Sequence, residues 1–244
     1  MHCDSQLTQP TLVLVHGAFH RVSMWDLLIA ELPDVAVQTV QLPSSAPVPV
    51  QRLGSMYDDA LRIRDVVTAI AGPVVVCAHS YGGTPTSQAL TGVHNVSRLV
   101  YLNAFVLDVG ESMLGNRGNT YPPHWQVHEP EGYLVMRDAE QVFYNDLDQQ
   151  AATQAAAALG PQSLSSMVQP LTQAAWRSIP ATYILADQDA GVPRAMGERF
   201  AQRIGTVRRM DTGHSPFLSQ PAQTAELLRE ELLLATGNRP TADR

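Results

Sequence analysis

Five residues, Ala78-His79-Ser80-Tyr81-Gly82, follow directly on the apolar run Pro73-Val74-Val75-Val76-Cys77 and lead into Gly83-Thr84-Pro85. The pattern sets a serine on a sharp turn between a buried strand and a helix. A nucleophile held in such a strained turn needs neighbours without bulk two residues before it and two after it, so that its hydroxyl can project from the strand end. Those positions are Ala78 and Gly82, one methyl group away from the usual G-x-S-x-G. The rest of the chain must either give this serine chemical partners or leave it an ordinary turn residue.

A buried strand needs a sheet, and five further apolar or β-branched runs supply one. They are Thr11–Val15, Val35–Val40, Val96–Phe105, Ala181–Ala186 and Thr206–Met210. Most are near-continuous rather than alternating, which suits strands covered on both faces of a parallel sheet. Helical patterns separate them. Ser55 is placed to cap a helix from Met56 to Ala71, with Met56, Ala60, Ile63, Val67 and Ile70 on one stripe. Pro221 to Ala235 reads as a closing helix stopped by Gly237, followed by a loose polar tail. Strand and helix in alternation predict a doubly wound α/β fold with a mostly parallel six-stranded sheet.

Residues 109–178 break that rhythm, being too long for a simple crossover. They hold Tyr121-Pro122-Pro123-His124-Trp125, then Tyr133, then helical patterns over Asp138–Ala158 and Ser163–Ala175. We read them as an inserted helical cap over the carboxyl ends of the strands, where α/β sheets bind ligands. The α/β core is then 1–108 together with 179–244.

A net charge of −7 and the lack of any basic run argue against nucleic acid as a partner. No apolar stretch is long enough to span a membrane. Met1 to Pro10 has no apolar secretory segment, and Cys3 and Cys77 make no disulfide framework, so the expected location is cytoplasmic. Cys77 reads as a small buried strand residue. All 16 basic residues are arginine. Without lysine there is no Schiff base, no lysine nucleophile and no P-loop lysine. No histidine spacing suggests a metal site, and no cofactor is expected.

A serine hydroxyl is a poor nucleophile alone. It needs a base, and the base needs an orienting carboxylate. On this fold the order is Ser, acid, His, each on a loop after a successive strand. Asp187 and Asp189 follow the fifth run, and Gly213-His214 follows the sixth. Asp108, after the fourth run, is a further candidate acid. The amide following the serine, that of Tyr81, is one expected donor to a developing oxyanion, each such donor contributing about 3 kcal/mol.

With His16-Gly17-Ala18-Phe19-His20 early, His79-Ser80-Tyr81-Gly82-Gly83 in the middle, and Asp189 and Gly213-His214 late, the chain resembles the α/β-hydrolase superfamily. More narrowly, it resembles the compact branch of plant methylesterases, hydroxynitrile lyases and bacterial serine esterases. The resemblance implies Ser80 as nucleophile, His214 as general base, Asp189 as its orienter and the Ala18 amide as second oxyanion donor. Phe19, Tyr81, Trp125 and Tyr133 are expected to line an apolar substrate pocket, and His16 and His79 to pack or hydrogen-bond beside the site.

Serine at the turn argues against aspartate-dependent dehalogenases and epoxide hydrolases, and against cysteine-dependent dienelactone hydrolases. By resemblance, some lyases of the compact branch carry threonine and lysine where this chain has Gly17 and Ser215. The expected function is therefore hydrolysis of a small carboxylic ester. Lactone hydrolysis, carbon–carbon bond cleavage and small-molecule binding without turnover are the alternatives, and a homodimer is compatible with this reading.

Overall fold

The computed structural model describes residues 9–236, so Cys3, Gly237 and the polar tail expected beyond it lie outside the described residues. The described strands are β1 (Thr11–Val15), β2 (Val37–Val40), β3 (Val74–His79), β4 (Val96–Leu102), β5 (Trp125–His128), β6 (Tyr133–Met136), β7 (Gln162–Ser163), β8 (Ala181–Ala186) and β9 (Val207–Met210). Six of them form one sheet in the order β2-β1-β3-β4-β8-β9. Every neighbouring pair in it is parallel.

Side-chain alternation along each strand feeds two cores, one per sheet face. Val13, Val15, Val74 and Val76 pack towards the helix Met56–Thr68, while Leu12, Leu14, Val75 and Cys77 pack towards the helix Pro221–Ala235. That double covering is why the inner strands β1, β3, β4 and β8 read as near-continuous apolar runs, each buried Val or Leu contributing roughly 1.5–3 kcal/mol. Ser55 caps its helix as expected, in a capping box: its Oγ accepts from the Asp58 amide, and the Asp58 carboxylate accepts from the Ser55 amide at 2.7 Å. No helix among the described residues is long and apolar enough to cross a membrane.

The chain moves outward from β1 to β2 and then returns past β1 to β3. This reversal places the loops after β1 and β3 side by side, with Val15 paired to Ala78 at the strand ends. Ligands bind α/β sheets at such switch points. The loops after β8 and β9 open on the same end of the sheet, because all six strands run in one direction.

Two expectations need correction. The fourth strand stops at Leu102 rather than Phe105, because Asn103 turns into the left-handed region with a φ of 46°. The inserted segment is not purely helical: β5, β6 and β7 form a small antiparallel sheet. Its helices are also shorter than the patterns suggested, at Ala139–Phe143, Gln149–Ala157 and Leu164–Val168. Asp148 starts the second of these by accepting from the Ala151 amide, which divides what looked like one long helix.

Candidate active site

The turn after β3 is strained in the way its sequence requires. Ser80 has a φ of 51°, a conformation costing of order 1–3 kcal/mol for a residue with a side chain. Its carbonyl accepts from the Phe105 amide at 3.0 Å, which fixes the turn against the loop after β4. A Cβ on Gly82 would lie 2.6 Å from the His16 carbonyl oxygen and 2.9 Å from that of Val15. Backbone approaches of this kind leave no room for any side chain, so glycine is obligatory there. Ala78 has room for its methyl group within the sheet core.

His214 sits in the loop after β9, fully buried. Its Nδ1–H donates to the Asp189 carboxylate, 2.9 Å from each oxygen. Asp189 Oδ1 also accepts from the amides of Gly191 at 2.7 Å and Val192 at 2.9 Å, so the acid is fixed by its own loop. The His214 carbonyl accepts from His79 Nε2 at 3.0 Å and from Asn103 Nδ2 at 3.2 Å. The Phe143 ring stacks on the imidazole at 5.1 Å and 25°. Among the described residues His214 Nε2 has no hydrogen-bond partner. That atom is the lone-pair nitrogen once Nδ1 carries the proton.

The rival acids are occupied elsewhere. Asp108 pairs with Arg177, and Asp187 pairs with Arg209 at 2.6 Å. Neither contacts His214.

Three further histidines surround the serine turn, all buried and all hydrogen-bonded, as expected for His16 and His79. His16 Nε2 accepts from the Leu42 amide at 3.1 Å, leaving Nδ1–H to donate to the Gly17 carbonyl. Burial pushes its pKa down to about 4. His20 donates from Nδ1 to the Ala18 carbonyl and its Nε2 accepts from the Tyr144 hydroxyl; burial pushes it down to about 3. Burial likewise holds His79 well below the ordinary value. All three are therefore fixed as neutral hydrogen-bonding groups at neutral pH.

The expected pocket residues divide. Phe19 and Trp125 meet edge to face at 6.3 Å, and Phe19 also packs on Phe143 at 6.2 Å. The Ala18 amide, next to Phe19, donates no hydrogen bond among the described residues. Tyr81 requires correction. Its ring has no exposed surface and its hydroxyl donates to Asp59 at 2.6 Å, so the side chain is core and only its backbone faces the turn. Tyr133 stacks on His128 at 4.4 Å, in the hairpin of β5 and β6. A mainly apolar cavity of about 300 Å³ is lined by His20, Met24, Leu27, Tyr144 and Leu147, among others; neither Ser80 nor His214 lines it.

Sequence reasoning missed Asn103, Phe143, Asp59 and Gln162. Asn103 joins β4 to β8 by accepting from the Ala186 amide at 2.6 Å while its Nδ2 holds the His214 loop. Asp59 and Gln162 are buried in one hydrogen-bonded cluster with Ser44, Ser166 and the Tyr81 hydroxyl, and burial pushes the Asp59 carboxyl up to about 7.

The fold recurs in known proteins. A model of the alpha/beta hydrolase family matches residues 12–227. An alpha/beta hydrolase of Aspergillus novofumigatus is 30% identical over 246 residues, spanning 91% of this chain and 96% of that one. A pimeloyl-[acyl-carrier protein] methyl ester esterase of Aromatoleum aromaticum is 27% identical, spanning 92% of this chain and 98% of that one. The crystal structure of polyneuridine aldehyde esterase superposes with a TM-score of 0.78 at 20% identity, over 91% of this chain and 99% of that one, a likeness of fold. Matched along nearly its whole described length, the chain belongs to the alpha/beta hydrolase family.

Proposed function

We propose that the chain is a serine hydrolase that cleaves a small carboxylic ester through an acyl-enzyme on Ser80. In this reading Ser80 Oγ attacks the ester carbonyl while His214 Nε2 takes its proton. The amides of Ala18 and Tyr81 receive the oxyanion. The tetrahedral intermediate then collapses, the carbon–oxygen bond to the alcohol breaks, and His214 returns the proton to the departing alkoxide. Water attacks the acyl-enzyme by the same sequence and releases the acid. Asp189 holds the imidazole in the tautomer that leaves Nε2 unprotonated, and supports the positive charge that forms on it.

The observation that carries this reading is the state of His214: Nδ1 is bound to a carboxylate that two backbone amides fix, while Nε2 is buried and without a partner. His16 and His20 have both nitrogens bonded, and among the described residues His79 has an unpartnered Nδ1 but no carboxylate partner. The carboxylate on Nδ1 is what sets His214 apart as a base. The match to a methyl ester esterase supports an ester as the substrate class.

Release of p-nitrophenol from p-nitrophenyl acetate tests the proposal. The wild-type chain is expected to turn over and Ser80→Ala to fall to the background rate while keeping its fold. A correctly folded wild type that hydrolyses no activated ester would instead favour a binding protein.

A further inference from the structure

Phe19, the residue after Ala18, holds a φ of 68°, in the left-handed region that a residue with a large side chain rarely adopts. Such a conformation persists only where surrounding contacts fix it. Here both backbone groups of Phe19 are held by residues of the inserted segment. Its carbonyl accepts from the Gly160 amide at 2.8 Å, and its amide donates to Gln162 Oε1 at 3.0 Å.

Gln162 is fully buried, and its other end continues inward. Its Nε2 donates to Ser44 Oγ at 2.8 Å and to Ser166 Oγ at 2.7 Å. Ser44 Oγ in turn donates to Asp59 Oδ2 at 2.5 Å, and the Ser44 amide donates to Asp59 Oδ1 at 2.8 Å. Tyr81 closes the chain from the other side, its hydroxyl donating to Asp59 Oδ2 at 2.6 Å. A continuous buried hydrogen-bond path therefore runs from the loop holding Ala18 to the residue after Ser80, and its link to the Phe19 amide is a side chain from residues 109–178.

We infer that Gln162, acting with Ser44 and Asp59, is the positioning residue of the oxyanion hole, so that seating of the inserted segment sets the two amides at working distance. The inference rests on the ester-hydrolase reading above. Oxyanion donors stabilise charge only when already aimed at the place where it develops. A buried polar network that is fully satisfied fixes one geometry, while one with a missing member does not. Gln162 touches no reacting atom in this scheme. It acts through the Phe19 peptide, which fixes the direction of the neighbouring Ala18 amide.

Gln162→Met keeps the length of the side chain and removes both hydrogen-bonding ends. Gln162→Glu keeps the acceptor for the Phe19 amide. Each is compared with wild type for kcat and KM on p-nitrophenyl acetate, for Tm, and for inhibition by a trifluoromethyl ketone, whose adduct carries an oxyanion. For Gln162→Met we expect kcat to fall roughly 10- to 100-fold, KM to stay within about twofold, and ketone inhibition to weaken in step. Gln162→Glu should recover part of the lost kcat.

A folded Gln162→Met protein with wild-type kcat would overturn the inference, even if its Tm were lower. If that variant does not fold, Ser44→Ala decides: several-fold loss of kcat at unchanged KM supports the positioning role, and unchanged kcat overturns it. A wild type without ester turnover overturns the ester reading itself. Wild-type turnover with unaffected variants overturns only the role of Gln162.

Discussion

His79 donates its Nε2–H to the carbonyl oxygen of His214 at 3.0 Å, joining the residue before Ser80 to the residue that presents the imidazole. The candidate nucleophile and the candidate base are thus tied through the backbone of one and the side chain beside the other. His79→Phe keeps a buried ring but removes the donor. A single such bond contributes about 1 kcal/mol, so turnover should fall about five- to tenfold with little change in KM, as steady-state kinetics would show. Unaltered kcat would mean that Asn103, on the His214 carbonyl, and Asp146, on the Gly213 amide, hold the loop without it.

The assignment of the acid makes a sharper prediction. Asp189→Asn keeps the volume but favours the wrong imidazole tautomer, a change that costs about 10⁴-fold in kcat in serine hydrolases with this arrangement. Asp108→Asn and Asp187→Asn weaken partly exposed ion pairs with arginine away from His214 and should stay within about threefold of wild type. Parallel kcat measurements on the three variants check the order; the reverse order would reassign the acid.

Gly82 is a prediction about stability. The two backbone oxygens facing its Cα leave a Cβ no place to go, and neither can withdraw without disturbing β1 or the loop after it. Gly82→Ala should destabilise by at least about 1–3 kcal/mol, read from the urea midpoint at unchanged m-value. Ala78→Gly, by contrast, should be tolerated at a cost of under about 1 kcal/mol.

Asp59 gives a pH signature. Its carboxyl is pushed up to about 7 by burial, against an ordinary value of 3.8. Between roughly pH 4 and 7 the folded chain retains a proton that the unfolded chain has released, so stability from this group is full below pH 4 and is lost as pH rises to 7. The buried His16 and His20 slope the opposite way, because unfolding lets them take up protons below about pH 6.5. Comparing Asp59→Asn with wild type cancels the histidines. The stability difference should move in favour of the variant by up to about 4 kcal/mol from pH 4 to pH 8, measured by urea unfolding. A constant difference would show that Asp59 is ionised throughout.

What could be read from sequence follows the range of the interactions. The four inner strands β1, β3, β4 and β8 are near-continuous apolar runs because both faces are covered, and that property is local and visible. The serine turn is legible for the same reason, since Ala78 and Gly82 are its own neighbours. Asp189 and His214 could be placed because each follows a strand. The β5-β6-β7 sheet was hidden: its strands are two to four residues long and hold Gln and His, so no alternation develops. Phe143 over His214, and Gln162 against Phe19, are pairings across long chain separations that no local pattern encodes. Tyr81 misled for a related reason, because an aromatic ring beside a nucleophile suggests a pocket wall until its buried partner Asp59 is seen.

The central claim is that Ser80 is the nucleophile. Its most direct test is labelling with a p-nitrophenyl alkylphosphonate, followed by peptide mass spectrometry and the amount of p-nitrophenol released. The account predicts one equivalent released per chain, one phosphonyl group found on the peptide containing Ser80, and complete loss of ester turnover. Stoichiometric release that persists in folded Ser80→Ala, or an adduct on any other residue, would contradict it.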